Sequence, residues 1–173
     1  MKTLKAVSMV FYITIALAMM SSAQTVKTDF DRTADFSHYK TYSWQKVDVK
    51  NSLWIDRIKS AVNGELIKKG WVQVTSGGDA SIGAVGITSD HASLASYYNG
   101  MDGYRWDGFG NDDVIKEQRE GTLVISIFDN GTKKLIWVGS SMNVVSDKSK
   151  KNIKNLDKGM QEMFEHFPPE PKS

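Results

Sequence analysis

Thr122-Leu123-Val124-Ile125-Ser126-Ile127-Phe128-Asp129-Asn130-Gly131-Thr132-Lys133-Lys134-Leu135-Ile136-Trp137-Val138-Gly139 is the most strongly patterned stretch of the chain. Two apolar, β-branched runs flank a polar segment containing Asn130-Gly131. That pair accommodates positive φ at low cost and marks a hairpin. Strands are therefore predicted over Thr122 to Phe128 and Leu135 to Val145. Asn130-Gly131-Thr132 also matches a glycosylation acceptor, but the turn is the preferred reading.

On both sides of this hairpin the pattern changes from period 2 to period 3.6. Downstream, Ile153, Leu156, Met160, Met163, Phe164 and Phe167 form one apolar stripe. Pro168-Pro169 ends that helix, because proline offers no N–H and restricts the residue before it. A methionine stripe can grip a partner, but core packing is favoured here. Upstream, Trp54, Ile55, Ile58, Val62, Leu66 and Lys69 predict a helix from about Leu53 to Lys69. Asn51 or Ser52 can cap its start, and Gly70 suits the left-handed residue past its end. Shorter strands are expected at Val26 to Phe30, Thr41 to Trp44, Trp71 to Val74 and Ala80 to Ile87, the last loosened by Gly83 and Gly86. The sum is an α+β fold: an antiparallel sheet of about six strands with two helices packed on one face.

The N-terminus carries a different signal. Lys2 and Lys5 precede a mostly apolar run from Ala6 to Met20, and Ser21-Ser22-Ala23 follows. As a helix the run reaches roughly 22 Å, short of a bilayer core of about 30 Å. It reads as a secretory signal peptide, residues 1–23, cleaved after Ala23. Residues 24–173 then form a single domain, periplasmic or secreted. The full chain has 22 Lys+Arg against 20 Asp+Glu. Lys2 and Lys5 account for the whole excess, so the mature form is formally neutral and lacks the positive field expected of a nucleic-acid binder. With no cysteine there is no thiol for acylation, no disulfide and no thiolate metal site. No stable membrane anchor is expected after cleavage.

Known catalytic patterns are sparse. His38, His91 and His166 lie far apart without metal-ligand spacing. There is no Gly-x-Ser-x-Gly elbow and no P-loop. No cofactor or metal is expected. Function is sought instead in a Gly- and aromatic-rich insertion at about 88–119. It holds Tyr97, Tyr98, Tyr104 and Trp106 interleaved with Asp107 and Asp112, which are taken as candidate ligand-binding residues. Exposed aromatics can stack on sugars, and carboxylates can act as acid and base. The competing expectation is an insertion whose aromatics fold over the sheet edge. The acids do not follow the alternate-position pattern of an EF-hand.

Phe36-Ser37-His38-Tyr39-Lys40-Thr41-Tyr42-Ser43-Trp44 resembles the Phe-x-x-Tyr-Lys-Thr-Tyr-x-Trp signature of DUF4136, a bacterial envelope family of unknown function. Asp29-Phe30-Asp31, Leu66 to Trp71, Asp79-Ala80, Glu120 to Ile125, Leu135 to Gly139 and Phe167-Pro168-Pro169 are similar too. Many members look like lipoproteins, whereas this chain lacks the cysteine. The resemblance implies an envelope location but no activity. Within the signature, alternation would put Lys40, Tyr42 and Trp44 on one face and Tyr39 and Thr41 on the other. The expected function is a non-catalytic binding or interaction domain for an envelope protein or glycan. The alternative is a small envelope hydrolase or glycan-binding protein using the insertion. A third reading has a sheet edge pairing with another chain.

Overall fold

The computed structural model describes residues 25–87, 97–98, 101, 103–104, 121–142, 144 and 149–170. In chain order the elements are β1 (Val26–Phe30), a 3-10 turn (Phe36–His38), β2 (Thr41–Asp48), α1 (Leu53–Lys68), β3 (Val72–Gln73), β4 (Ala80–Ile87), β5 (Thr122–Asp129), β6 (Leu135–Ser141) and α2 (Ser149–Phe164). The expected signal peptide, His91, Trp106, Asp107 and Asp112 lie outside the described residues. Among those described, no helix is long and apolar enough to cross a membrane.

The six strands form one sheet in the order β1-β6-β5-β4-β2-β3. It is mixed, which corrects the antiparallel expectation. Strand β2 pairs in parallel with both β3 and β4, while the other neighbours are antiparallel. The cause is α1. A helix between strands carries the chain back along the sheet, so the next strand enters in the direction of the one before it. Helix α1 starts with the Asn51 carboxamide accepting from the Leu53 N–H at 3.0 Å. It ends with Gly70 at φ 81, where Trp71 N–H reaches the Leu66 carbonyl and Gly70 N–H that of Ile67, both at 3.0 Å. This paired closure reverses the chain and sends Trp71, only 3% exposed, into the core.

The hairpin between β5 and β6 forms as expected, but with a different turn. Asp129 N–H bonds to the Lys134 carbonyl, and positive φ falls on Lys133 rather than on Asn130-Gly131. The Asp129 carboxylate takes the Thr132 N–H and hydroxyl, which fixes the loop from inside. Strand β6 ends at Ser141, short of the expected Val145. Its register slips beside β5: Ile127 faces Trp137 and Phe128 faces Leu135, leaving Ile136 as the extra residue of a bulge.

Alternation along the strands divides the core in two. Leu123, Ile125 and Ile127 of β5 join Tyr42, Ala80, Ile82 and Trp137 in one cluster, to which both helices contribute, α1 through Trp54, Ile58, Val62 and Leu66 and α2 through Leu156, Met160, Met163 and Phe164. Val124 and Phe128 join Val85, Leu135 and Val138 in a second cluster with Tyr97, Tyr98, Met101 and Tyr104. The insertion's tyrosines thus lie over the second face of the sheet rather than over its edge.

Candidate binding cleft

Three short segments meet at one end of the sheet. Asp31 closes the turn after β1 by accepting from the Thr33 N–H at 2.8 Å and its hydroxyl at 2.7 Å. Asp35 starts the 3-10 turn by accepting from Ser37 N–H at 3.0 Å. Asp79 then fixes the entry to β2 with three bonds, from the N–H groups of Lys40 at 2.9 Å and Thr41 at 2.8 Å and from the Thr41 hydroxyl at 2.8 Å. The Lys40 and Thr41 donors hold the Asp79 carboxyl below its ordinary value, because they favour its charged form.

These supports hold an aromatic cluster. Phe36 meets Phe30 and Phe167 edge-on at 6.3 and 5.9 Å, Trp71 meets Phe167 at 5.2 Å, and Tyr39 stacks on Trp71 at 6.0 Å. Such offset and edge contacts suit the ring quadrupole. Tyr39 therefore packs with Tyr42 and Trp71 and not on the opposite face. Strict alternation fails because β2 begins only at Thr41. The Tyr39 hydroxyl donates to Asp129 at 2.9 Å. Burial and that carboxylate push its pKa well up. Burial pushes Asp129 up as well, but donors from Thr132 and Tyr39 outweigh it and leave the carboxyl below its usual value.

A cleft of about 240 Å³ opens against this cluster. Its walls are Phe30, Ala34, Phe36, Trp71, Pro168 and Pro169, and Arg32, Lys40 and Lys69 line it together with Ser37 and Glu170. The Phe167-Pro168 bond is cis. Lys69 gives one N–H to the Glu165 carbonyl at 3.1 Å. Among the described residues Arg32 and Lys40 form no ion pair. A larger open groove of about 660 Å³ shares Phe30, Lys69, Pro168, Pro169 and Glu170 with the cleft and continues past Val26, Thr28 and Trp137.

Of the residues singled out in the insertion, the three described ones, Tyr97, Tyr98 and Tyr104, sit elsewhere. Tyr97, Tyr98 and Tyr104 are 2%, 8% and 9% exposed. Tyr97 donates to the Lys46 carbonyl at 3.0 Å, and Gly83 is the residue that makes room for its hydroxyl, since a Cβ there would collide with it. Tyr98 shares a 2.8 Å bond with the Ser126 hydroxyl, and burial pushes its pKa to about 12. Tyr104 donates to Ser81 at 2.8 Å, Ser81 donates to Asn130 at 3.0 Å, and Lys133 closes the network on Asn130 at 2.7 Å while lying 4.8 Å over the Tyr104 ring. Among the described residues no three His, Asp or Glu side chains could hold a metal ion. His38 lies beside Asp35 at 3.3 Å, on an exposed surface.

Lys40 belongs to the family signature and Lys69 to the similar Leu66–Trp71 stretch, but neither these two nor Arg32 is among the candidate ligand-binding residues read from the sequence. Arg32 and Lys69 are 37 positions apart, and no spacing in the sequence links the three cations.

Residues 26–169 match the family described as a domain of unknown function, DUF4136. The chain belongs to this family. Among solved structures it is similar to a DUF4136 family protein from Bacteroides thetaiotaomicron, with a TM-score of 0.58 and 14% identity over 80% of this chain and 95% of that one. It is also similar to a PDZ domain protein from Parabacteroides distasonis, with a TM-score of 0.56 and 19% identity. That likeness covers 91% of this chain and 40% of the other. Identities this low show a shared fold alone. No curated protein matches the chain. For this DUF4136 protein the motifs quoted above acquire a location: Phe36, Lys40 and Trp71 line the cleft, and Tyr39 and Phe167 pack against Trp71 behind it.

Proposed function

We propose that this DUF4136 protein is an exported, non-catalytic binding domain of the bacterial envelope, released after Ala23 and acting through the cleft beside Trp71. The observation that carries this reading is the composition of the cleft. Aromatic and proline walls lie beneath Arg32, Lys40 and Lys69. Apolar walls with a few convergent polar groups are the usual form of a binding site. The apolar run from Ala6 to Met20 and the family resemblance support export. In this reading both helices cover one face of the sheet, since their buried residues share a cluster, and Tyr97, Tyr98, Met101 and Tyr104 pack on the other. Tyr97, Tyr98 and Tyr104 direct their rings into the sheet, which favours the cleft over the insertion as the contact surface.

The test uses residues 24–173 and isolated envelope material from the producing bacterium. The protein should be retained without releasing sugar or acid, and the double variant Arg32→Glu/Lys40→Glu should lose retention by about tenfold or more, the worth of one charge-assisted hydrogen bond. Release of glycan or ester products that disappears in Asp107→Asn or Asp112→Asn would contradict the reading and restore the hydrolase. Sequencing the exported protein should give Gln24 as its first residue.

A further inference from the structure

Strand β1 is an edge of the sheet. Asp31 N–H bonds to the Ile136 carbonyl and Met142 N–H to the Thr25 carbonyl. In an antiparallel pair, residues bond to the neighbouring strand alternately. Odd-numbered residues of β1 thus face β6, and Val26, Thr28 and Phe30 turn their N–H and C=O groups outward. Asp29 accepts the Phe30 N–H on its own side chain at 2.9 Å, which stops the row at its far end. Among the described residues the outward groups of Val26 and Thr28 have no protein partner. The 660 Å³ groove runs along these two residues, and the cationic cleft opens beyond Phe30.

The two spaces differ in size and charge. At about 240 Å³ the cleft falls below the roughly 300–1,000 Å³ of sites that enclose a whole small molecule. It suits a chain end. Arg32, Lys40 and Lys69 face only Glu170 there, so the cleft favours an anion. Glu162, Glu165 and Glu170 line the other space, with Lys69 and His166, so its charge leans the opposite way.

We propose that β1 and the cleft together capture the C-terminal end of an extended peptide: its backbone adds to the sheet beside Val26 and Thr28, and its terminal carboxylate lies against Arg32 and Lys40. Strand addition supplies main-chain bonds, and the carboxylate fixes the register. With the carboxylate at the Phe30 end, the peptide runs parallel to β1. Its last side chain is apolar and rests on Phe30 and Trp71. This inference rests on the binding reading above and narrows it to one ligand class.

The experiment is fluorescence anisotropy on residues 24–173 with a labelled hexapeptide of alternating threonine and valine, ending in phenylalanine with a free carboxylate. Saturable binding is expected, weakened about tenfold or more when the C-terminus is amidated. Methylating the peptide nitrogens that face β1 should weaken it similarly, while methylating the alternate ones should not. The variant Arg32→Ala/Lys40→Ala, at positions outside the aromatic cluster, should abolish the preference for the free acid and leave the melting temperature near that of the parent. Equal affinity for acid and amide, or no binding at millimolar peptide, overturns the proposal. So does complete competition by decanoate, which would mark the site as one for a simple amphiphilic carboxylate. Dimerisation that the peptide does not displace would assign the edge to a second copy and overturn it too. If the peptide fails while Arg32→Glu/Lys40→Glu still loses retention on envelope material, only the peptide assignment falls. If retention is also unaffected, the binding reading falls with it.

Discussion

Asn63 shows how one side chain joins three elements. Its carbonyl oxygen accepts from the Tyr42 hydroxyl at 2.9 Å and from the Trp44 indole at 3.0 Å, and its amide donates to Gln73 at 2.8 Å. In Asn63→Leu two ring donors lose their acceptor inside the protein. The expected loss is about 1–3 kcal/mol, the penalty for a buried polar group left unpaired, measured by urea unfolding. Tyr42 adds a pH dependence. Burial raises its phenol to about 12, and burial does the same to Tyr98. An unfolded tyrosine ionises near 10. The folded state holds these protons more tightly, so their contribution is intact below pH 10 and is lost as pH rises from about 10 to 12. Urea unfolding at pH 8, 10 and 11.5 should show that decline, and Tyr42→Phe should make it shallower while Tyr98 keeps part of it. On the acid side Asp79 is held below its ordinary value by its donors, so its contribution is present at neutral pH and is lost as pH falls through the carboxylate range. A slope that is unchanged in Asp79→Asn would contradict that assignment.

Elements are positioned by close approaches that sequence patterning does not display. Gly83 in β4 reads from the sequence as a weakness, yet it is the seat of the Tyr97 hydroxyl. Gly83→Ala should destabilise the protein, and the penalty should be smaller in a Tyr97→Phe background. A coupling of about 0.5–3 kcal/mol in the double-mutant cycle is the expected mark of a direct contact. Additive effects would show that the hydroxyl does not rest there. Phe167 likewise ties elements together, touching Phe36, Trp71, Trp137 and Phe164. Truncation in Phe167→Ala should cost about 3–5 kcal/mol, read from the shift of the urea midpoint. The sequence made the strands, both helices and the β5–β6 hairpin legible, because periodicity and helix ends are local signals. It hid the parallel pairing of β2, since alternation within a strand does not specify its neighbour or direction. It also led to Asn130-Gly131 as the left-handed turn, where the Asp129 side chain instead organises the loop and moves positive φ to Lys133.

At the scale of the whole molecule, the sheet separates two surfaces with different chemistry. On one side Tyr97, Tyr98 and Tyr104 are occupied by Lys46, Ser126 and Ser81. At the β1 end, Phe30, Phe36 and Trp71 line a cleft together with Arg32, Lys40 and Lys69. The rings and Lys40 were legible as a motif, but the grouping of Lys40 with Arg32 and Lys69 was not, because basic residues scattered along a sequence read as solvated surface. Only the turn after β1, the entry to β2 and the end of α1 bring them together. We propose this cleft, and not the insertion, as the place where the protein meets its ligand. The most direct measurement is a ¹⁵N–¹H shift titration of residues 24–173 with the free-acid hexapeptide. Shifts concentrated at Val26 to Lys40 and Lys69 to Trp71 are expected, absent with the amidated peptide. Shifts centred on residues 88–119 instead would contradict it.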